Sequence, residues 1–280
     1  MQASSISIED LEIRATQGWR ATRQERLGDW LLRAADGFTG RANSALAIGD
    51  PGLPLAAAVQ EVDGWYRARG LRPMIAVPFP MAGPEDSPVD RLLDSFGWPL
   101  RQAPTVVMTA APGTAAGQAK PAAPLANASV TITGAPDDDW LAMYHYCGGD
   151  LPPIGRRLLM SAPWQAFASV REEGQTIAIG RVAGDEHWAG LTAIETHPAH
   201  RRRGLATAVS VTLATQAAEQ AVTGLYLQVE RENTAAQSLY RGIGFRDHHR
   251  YHYRVAPASI TRCSPSSGPG LGTAAASPRE

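Results

Sequence analysis

The segment Thr196-His197-Pro198-Ala199-His200-Arg201-Arg202-Arg203-Gly204-Leu205-Ala206-Thr207 puts three arginines and a glycine where an alternating stretch gives way to a long alanine-rich one. A strand-to-helix junction of this kind presents the free N–H groups of a helix start, and the helix dipole favours an anion there. Gly204 and Ala206 have almost no side chain, so a bulky pyrophosphate can approach the backbone, while the arginines supply charge. On its own the run is also compatible with a basic surface turn or a nucleic-acid contact. A phosphate-loop NTPase is disfavoured, because GxxxxGK[ST] is absent and the single lysine, Lys120, lies in a different segment.

A second constellation follows. Leu227-Gln228-Val229-Glu230-Arg231-Glu232-Asn233 leads into Thr234-Ala235-Ala236-Gln237-Ser238-Leu239-Tyr240, and then Gly244-Phe245. Asn233 is a natural helix cap, and Tyr240, about two helical turns later, emerges on the same face, so both can address one ligand. A core aromatic with a bonded hydroxyl is the alternative for Tyr240.

Together these residues carry a resemblance. Arg201-x-x-Gly204-x-Ala206 is similar to the [QR]-x-x-G-x-[GA] acetyl-CoA signature of the GNAT superfamily of N-acetyltransferases, and the second segment resembles that family's strand, asparagine, helix, tyrosine and Gly-Phe turn. The resemblance implies a GNAT fold with a mixed, mostly antiparallel sheet and acetyl-CoA as co-substrate, with no metal. It implies that Arg201, Arg202, Arg203, Gly204, Leu205, Ala206 and Thr207 hold the pyrophosphate and that Asn233 contacts the cofactor. By the same resemblance Ile194 and Thr196 offer main-chain groups to the acetyl carbonyl and pantetheine arm, on a strand splayed from residues 225–229. Tyr240 protonates the departing thiolate, and a backbone N–H near Ile194 or Glu195 meets the oxyanion.

Direct attack by an amine is expected, since neither Cys147 nor Cys263 stands where a covalent nucleophile is needed. The amine must lose a proton first. Gln228 replaces a glutamate that some relatives carry, which leaves Glu195, Glu230 and His187 as candidate bases, Glu195 first. His248, His249 and His252 invite a metal site, but a strand puts neighbours on opposite faces and no carboxylate or cysteine completes one, so they read as a solvated polar edge.

The elements that must position these groups follow from periodicity. Strands are predicted at residues 128–133, 164–171, 176–182, 187–196, 225–229 and 250–255, and helices at 137–147, 154–161, 205–221 (closed by Gly224) and 234–242. This is an α/β (α+β) order rather than a doubly wound nucleotide fold. Residues 109–128 read as an Ala/Pro-rich linker and 256–280 as a disordered tail. They leave an N-terminal domain, 1–108, and a catalytic domain, 129–255.

The first half repeats the later succession. Strands are expected at 30–34, 39–48, 74–77 and 105–108, with helices at 55–68 and 89–96, and Gly97-Trp98 parallels Gly244-Phe245. That suggests a tandem chain whose N-terminal copy is degenerate, lacking an Arg-x-x-Gly-x-Ala segment. The stretch Gly28-Asp29-Trp30-Leu31-Leu32-Arg33 with Gly37-Phe38-Thr39-Gly40-Arg41-Ala42-Asn43-Ser44 resembles a group of actinobacterial acetyltransferases, some labelled N-acetylglutamate synthases. Glutamate thereby becomes one candidate acceptor among small amines and amino acids. Arg41, Asn43 and Ser44 offer either an acceptor pocket or a bonded hairpin that supports the core.

Bulk composition agrees. With 26 basic against 27 acidic residues, net charge −1, no whole-protein footprint for nucleic acid or anionic lipid exists. There is no basic n-region with an apolar run behind it, and no stretch of about 20 apolar residues, so a cytoplasmic protein without a membrane span is expected. The oligomeric state, a homodimer included, is left open. The competing reading is a non-catalytic acyl-CoA-binding sensor or scaffold.

Overall fold

The computed structural model describes residues 6–82, 87–101, 103–117, 129–144 and 151–258. Its first element, α1 (Ile8–Gly18), starts where the Ser7 hydroxyl accepts from the Asp10 amide, with Glu9 and Asp10 in the first turn, and it buries Leu11, Glu12 and Thr16. The hairpin β1 (Arg23–Leu27) and β2 (Trp30–Ala34) follows.

The strand expected over 39–48 is instead a 3-10 turn, Gly40–Ala42, and a two-residue strand, β3 (Ala45–Leu46). The Asn43 side chain accepts from the amides of Ala35 and Gly37 and donates to the carbonyls of Phe38 and Thr39, so the backbone is held in a loop. Then come α2 (Leu55–Arg67), β4 (Met74–Pro80), α3 (Pro88–Ser95) and β5 (Thr105–Ala110).

The expected linker does not begin at residue 109. Thr109 and Ala110 complete β5, and α4 (Pro112–Gly117) follows, with Ala115 buried in the core that α7 shares. Residues 118–128 lie outside the described residues. The C-terminal half continues with β6 (Val130–Thr133), α5 (Asp138–Met143), α6 (Pro153–Leu159), β7 (Trp164–Glu172), β8 (Gln175–Gly184) and β9 (Trp188–Thr196). It ends with α7 (Leu205–Glu219), β10 (Gly224–Glu230), α8 (Thr234–Gly242) and β11 (Arg246–Val255). Helix α5 stops at Met143, and residues 145–150 are not described. Gly224 does not close α7 but opens β10, where a side chain would run into the Trp188 ring. Ala256, expected in the tail, is buried, accepting from Arg72 and donating to the Pro73 carbonyl.

One mixed sheet runs through both halves in the order β1-β2-β3-β4-β11-β5-β10-β9-β8-β7-β6. Its centre is an exchange. β11 pairs antiparallel with β4 as well as with β5, and β5 pairs antiparallel with β10, so the last strand of each half is inserted beside the other half's strands. On either side lies a parallel pair, β3 with β4 and β9 with β10, each joined through one helix, α2 or α7. The two halves are therefore a tandem repeat fused through a shared sheet.

Side-chain alternation sorts the helices. Val106 and Met108 of β5 join the core under α7, and Ile75 and Val77 of β4 join the core under α2 and α3. Val107, Tyr226, Tyr251 and Tyr253 face the other way, toward α1, while α5 and α6 cover Phe167 and Ile179 on that same side.

Candidate active site

The parallel ladder between β9 and β10 runs from Trp188 with Gly224 to Leu191 with Leu227 and stops there. Beyond it each strand stays with its outer neighbour: Gln228 pairs with Val107 and Glu230 with Thr105, whereas β9 follows β8. The cause lies in β9. Arg181 opposes Thr192 and Ile179 opposes Glu195, so β9 spends one residue more than β8, and Ala193 takes a left-handed φ of 54°. Such a bulge bends its strand, and a left-handed alanine costs about 1 kcal/mol. A slot opens between β9 and β10, lined by β9 backbone groups that have lost their β10 partners.

Residues facing each other across an antiparallel pair share a face. Ile194 therefore lies toward α7, where Gly180 leaves it room beside Val209 and Leu213, and Thr196 opposes Ala178 of the same core. The Thr196 hydroxyl is buried without a hydrogen-bond partner among the described residues. Glu195, half-buried, opposes Ile179 and lies on the other face, toward α5, α6 and α1.

At the exit from β9 a 3-10 turn, Pro198–His200, leads to the helix start. Gly204 caps α7 at φ 79°, a left-handed conformation that glycine adopts without strain, and no side chain caps the first turn, so the amides of Leu205, Ala206 and Thr207 keep no intrahelical acceptor. Arg201 and Arg202 are exposed, and neither forms an ion pair among the described residues. Arg203 has a partner that the sequence did not name. Its guanidinium grips both Glu172 oxygens, at the end of β7, at 2.8 and 2.6 Å. The bonds from Arg203 in turn hold the Glu172 carboxyl below its ordinary value.

Asn233 caps α8, its side chain accepting from the Ala236 amide. Tyr240 is half-buried against the α7 core, edge-on to Phe245 with centroids 6.0 Å apart. Its hydroxyl makes no hydrogen bond among the described residues, and burial alone pushes it up to about 12. Tyr240 and Glu195 thus lie on opposite faces of the sheet.

On the Glu195 side the slot meets the N-terminal half. Gln228 accepts from Arg41 at 3.2 Å and from the Tyr251 hydroxyl at 3.4 Å. Arg41 and Arg181 both stack on Trp19, at 5.0 and 5.2 Å from its ring. Arg181 is fully buried, donating to the carbonyls of Leu159 and Gly18 and leaving Nη2 without a partner among the described residues. Among those residues neither arginine is bonded to a carboxylate. Arg41 lines a small cavity with Gln228 and Tyr251, while Asn43 is taken up by the loop and Ser44 by Arg33. Of the other candidate bases, Glu230 is exposed at the end of β10 and His187 pairs with Glu186 at the surface.

The histidines of β11 are not a solvated edge. His249 and His252 are buried, each on a distant carboxylate: His249 Nε2 lies 2.8 Å from Glu12, and His252 Nε2 lies 2.6 Å from Asp90, which also receives two bonds from Arg254. The sequence reading missed Glu12 and Asp90; the only signals were the Ser7 and Ser87 caps that start their helices. Among the described residues no group of three His, Cys, Asp or Glu side chains could hold a metal ion, and no helix is long and apolar enough to cross a membrane.

Similar proteins agree with this architecture. An uncharacterized N-acetyltransferase of Bacillus subtilis (strain 168), YobR, is 28% identical over 254 residues, covering 89% of this chain and 98% of its own. A GCN5-related N-acetyltransferase from Kribbella flavida has the same fold at a TM-score of 0.66 and 18% identity, over 91% of this chain and 97% of its own. A tandem GNAT protein from the clavulanic acid biosynthesis pathway superposes at a TM-score of 0.58 and 13% identity, over 77% and 76% of the two chains. Residues 5–254 match the family described as "Probable histone acetyltransferase Rv0428c C-terminal", and with that span, the tandem sheet and the slot between β9 and β10, the chain belongs to this family of GNAT-type acetyltransferases.

Proposed function

We propose that this acetyltransferase moves the acetyl group of acetyl-CoA directly onto the amino group of a small acceptor that carries a carboxylate, an amino acid, with glutamate one candidate. The observation that carries the reading is the slot itself, with the unbonded Tyr240 hydroxyl on one face and Arg41 and Arg181, free of any carboxylate, on the other.

Acetyl-CoA supplies the thioester. The amides of Leu205, Ala206 and Thr207, with Arg201 and Arg202, hold its pyrophosphate at the start of α7, where the dipole adds to their charge. The unpaired backbone of β9 around Ile194 and Thr196 holds the arm, and an N–H near Ile194 or Glu195 meets the oxyanion. Tyr240, kept protonated by its burial, gives its proton to the leaving thiolate. The acceptor enters from the Gln228 face. Arg41 offers a guanidinium that stacking on Trp19 has already oriented, suited to a carboxylate.

The family description speaks of a histone acetyltransferase. A lysine-rich tail would bring further positive charge toward Arg41 and Arg181, which argues against that acceptor here. Thiol release from acetyl-CoA, measured against the twenty standard amino acids, spermidine and a lysine-rich histone-tail peptide, tests the class. Turnover with one or more amino acids is expected; turnover with spermidine or the peptide alone would overturn it.

A further inference from the structure

An amine with a pKa near 8 to 10 is mostly protonated at neutral pH, so transfer requires a group that takes its proton. We propose that Glu12, contributed by α1 of the N-terminal half, is that group, and that His249 and His248 carry the proton to solvent. The inference rests on the acetyltransferase reading above.

A cavity of about 20 Å³, room for an ordered water, lies where the two halves meet, and its walls include Glu12, Trp19, Arg41, Gln228 and Tyr251. Gln228 is the first β10 residue beyond the last pair with β9, so the cavity reaches the acceptor side of the slot. Glu12 is its only lining carboxylate among the described residues. Behind Glu12 the contacts continue outward: Oε1 lies 2.8 Å from His249 Nε2, His249 Nδ1 lies 2.8 Å from His248 Nδ1, and His248 Nε2 lies 3.0 Å from the Ile6 carbonyl.

The carbonyl only accepts, so His248 Nε2 carries a hydrogen. A neutral His248 then accepts at Nδ1 from His249, and His249, which faces the Glu12 carboxylate at Nε2, donates at both ring nitrogens. Glu12 and His249 are buried and His248 is half-exposed, so the row of bonds runs from the cavity to the surface. The groups that face Glu12 are the arginines 33 and 41, Tyr226 of β10, Tyr251 and Tyr253 of β11, and the two histidines.

In the step, the ammonium gives one proton through the cavity water to the second oxygen of Glu12, His249 passes its Nδ1 proton to His248, and the half-exposed His248 releases its Nε2 proton to solvent as that N–H turns from the Ile6 carbonyl. The nitrogen–carbon bond forms as the carbon–sulfur bond breaks. The second proton lost by the nitrogen balances the one Tyr240 gives to the thiolate. The products are the amide, the CoA thiol and one released proton.

Steady-state kinetics with acetyl-CoA and the amino-acid panel, from pH 5.5 to 9, test this on the full chain. Glu12→Gln is expected to lower kcat about 100-fold at pH 7, to leave KM for acetyl-CoA unchanged, and to regain activity as pH rises and the amine becomes neutral without help. His248→Gln, at the half-exposed end, is expected to lower kcat by a smaller factor that added imidazole restores. A folded Glu12→Gln variant with the wild-type kcat and pH profile overturns the proposal, and so does a slowed His248→Gln variant that imidazole fails to rescue, even where Glu12→Gln does not fold. If the wild-type protein binds acetyl-CoA but acetylates nothing in the panel, it is the acetyltransferase reading for amino acids that falls, and this inference with it.

Discussion

Arg41 and Gln228, 187 residues apart in the chain, meet through a hydrogen bond of 3.2 Å at the level where β10 leaves β9. The cavity at this level is thereby walled by both halves. The N-terminal half has no Arg-x-x-Gly-x-Ala segment but contributes Glu12 of α1, Trp19 and Arg41 to that wall.

If Arg41 holds an acceptor carboxylate, Arg41→Gln removes one charge-assisted bond, worth about 1.5 kcal/mol or roughly tenfold. KM for the amino-acid acceptor should rise by that factor in initial-rate assays while KM for acetyl-CoA stays put. An equal rise in both would place Arg41 outside acceptor binding.

The cradle arginines divide by partner. Arg201→Ala and Arg202→Ala should each weaken CoA binding about tenfold in calorimetric titration, with the loss shrinking at high salt as screening grows. Arg203→Ala, whose charge rests on Glu172, should weaken CoA less than either. The reverse ranking would mean that the Glu172 pair opens to receive the pyrophosphate.

Tyr240→Phe should lower kcat about 100-fold with little change in KM for acetyl-CoA. The wild-type hydroxyl, held up to about 12 by burial, stays protonated across the working range, so it should produce no alkaline fall in kcat below about pH 11. A kcat that declines near pH 9 in the wild type and not in the variant would contradict this role.

Asp90 provides the pH-dependent stability. Burial pushes its carboxyl up, but the bonds and charges of Arg254 and His252 outweigh burial and hold it below the ordinary value. A carboxyl depressed in the folded state stabilises above its unfolded pKa of about 3.9, and that stability is lost as pH falls through the folded value. Asp90→Ala should cost about 3 kcal/mol in urea unfolding at pH 7 and less at pH 3. A cost independent of pH would refute the assignment.

Local chemistry was readable from sequence. Asn233 and the helix 234–242 follow directly from a cap and a short periodic run, and the start of α7 at Gly204 from glycine and small residues at a strand-to-helix junction, because these signals act over three or four residues. The exchange of β5 and β11 was not readable, since alternation marks residues 105–110 as a strand without naming the neighbour. The Ala- and Pro-rich composition after residue 109 hid α4, which is stabilised by packing against α7 rather than by propensity.

The polar partners escaped for the same reason. Arg203 reads as a phosphate ligand until Glu172, 31 residues earlier, is folded beside it. His249 reads as surface until Glu12, 237 residues away, is brought to it by α1. The Ala193 bulge that opens the slot carries no glycine to mark its left-handed backbone.

The slot between β9 and β10 is proposed to pass an acetyl group to an amine. Its most direct test is carbon NMR of the full chain incubated with acetyl-CoA labelled at the carbonyl and with the amino-acid panel. The thioester signal should be replaced by an N-acetyl amide signal at a rate that Tyr240→Phe cuts about 100-fold. Acetyl-CoA that binds yet persists unchanged with every acceptor would contradict it and mark the chain as an acyl-CoA-binding sensor.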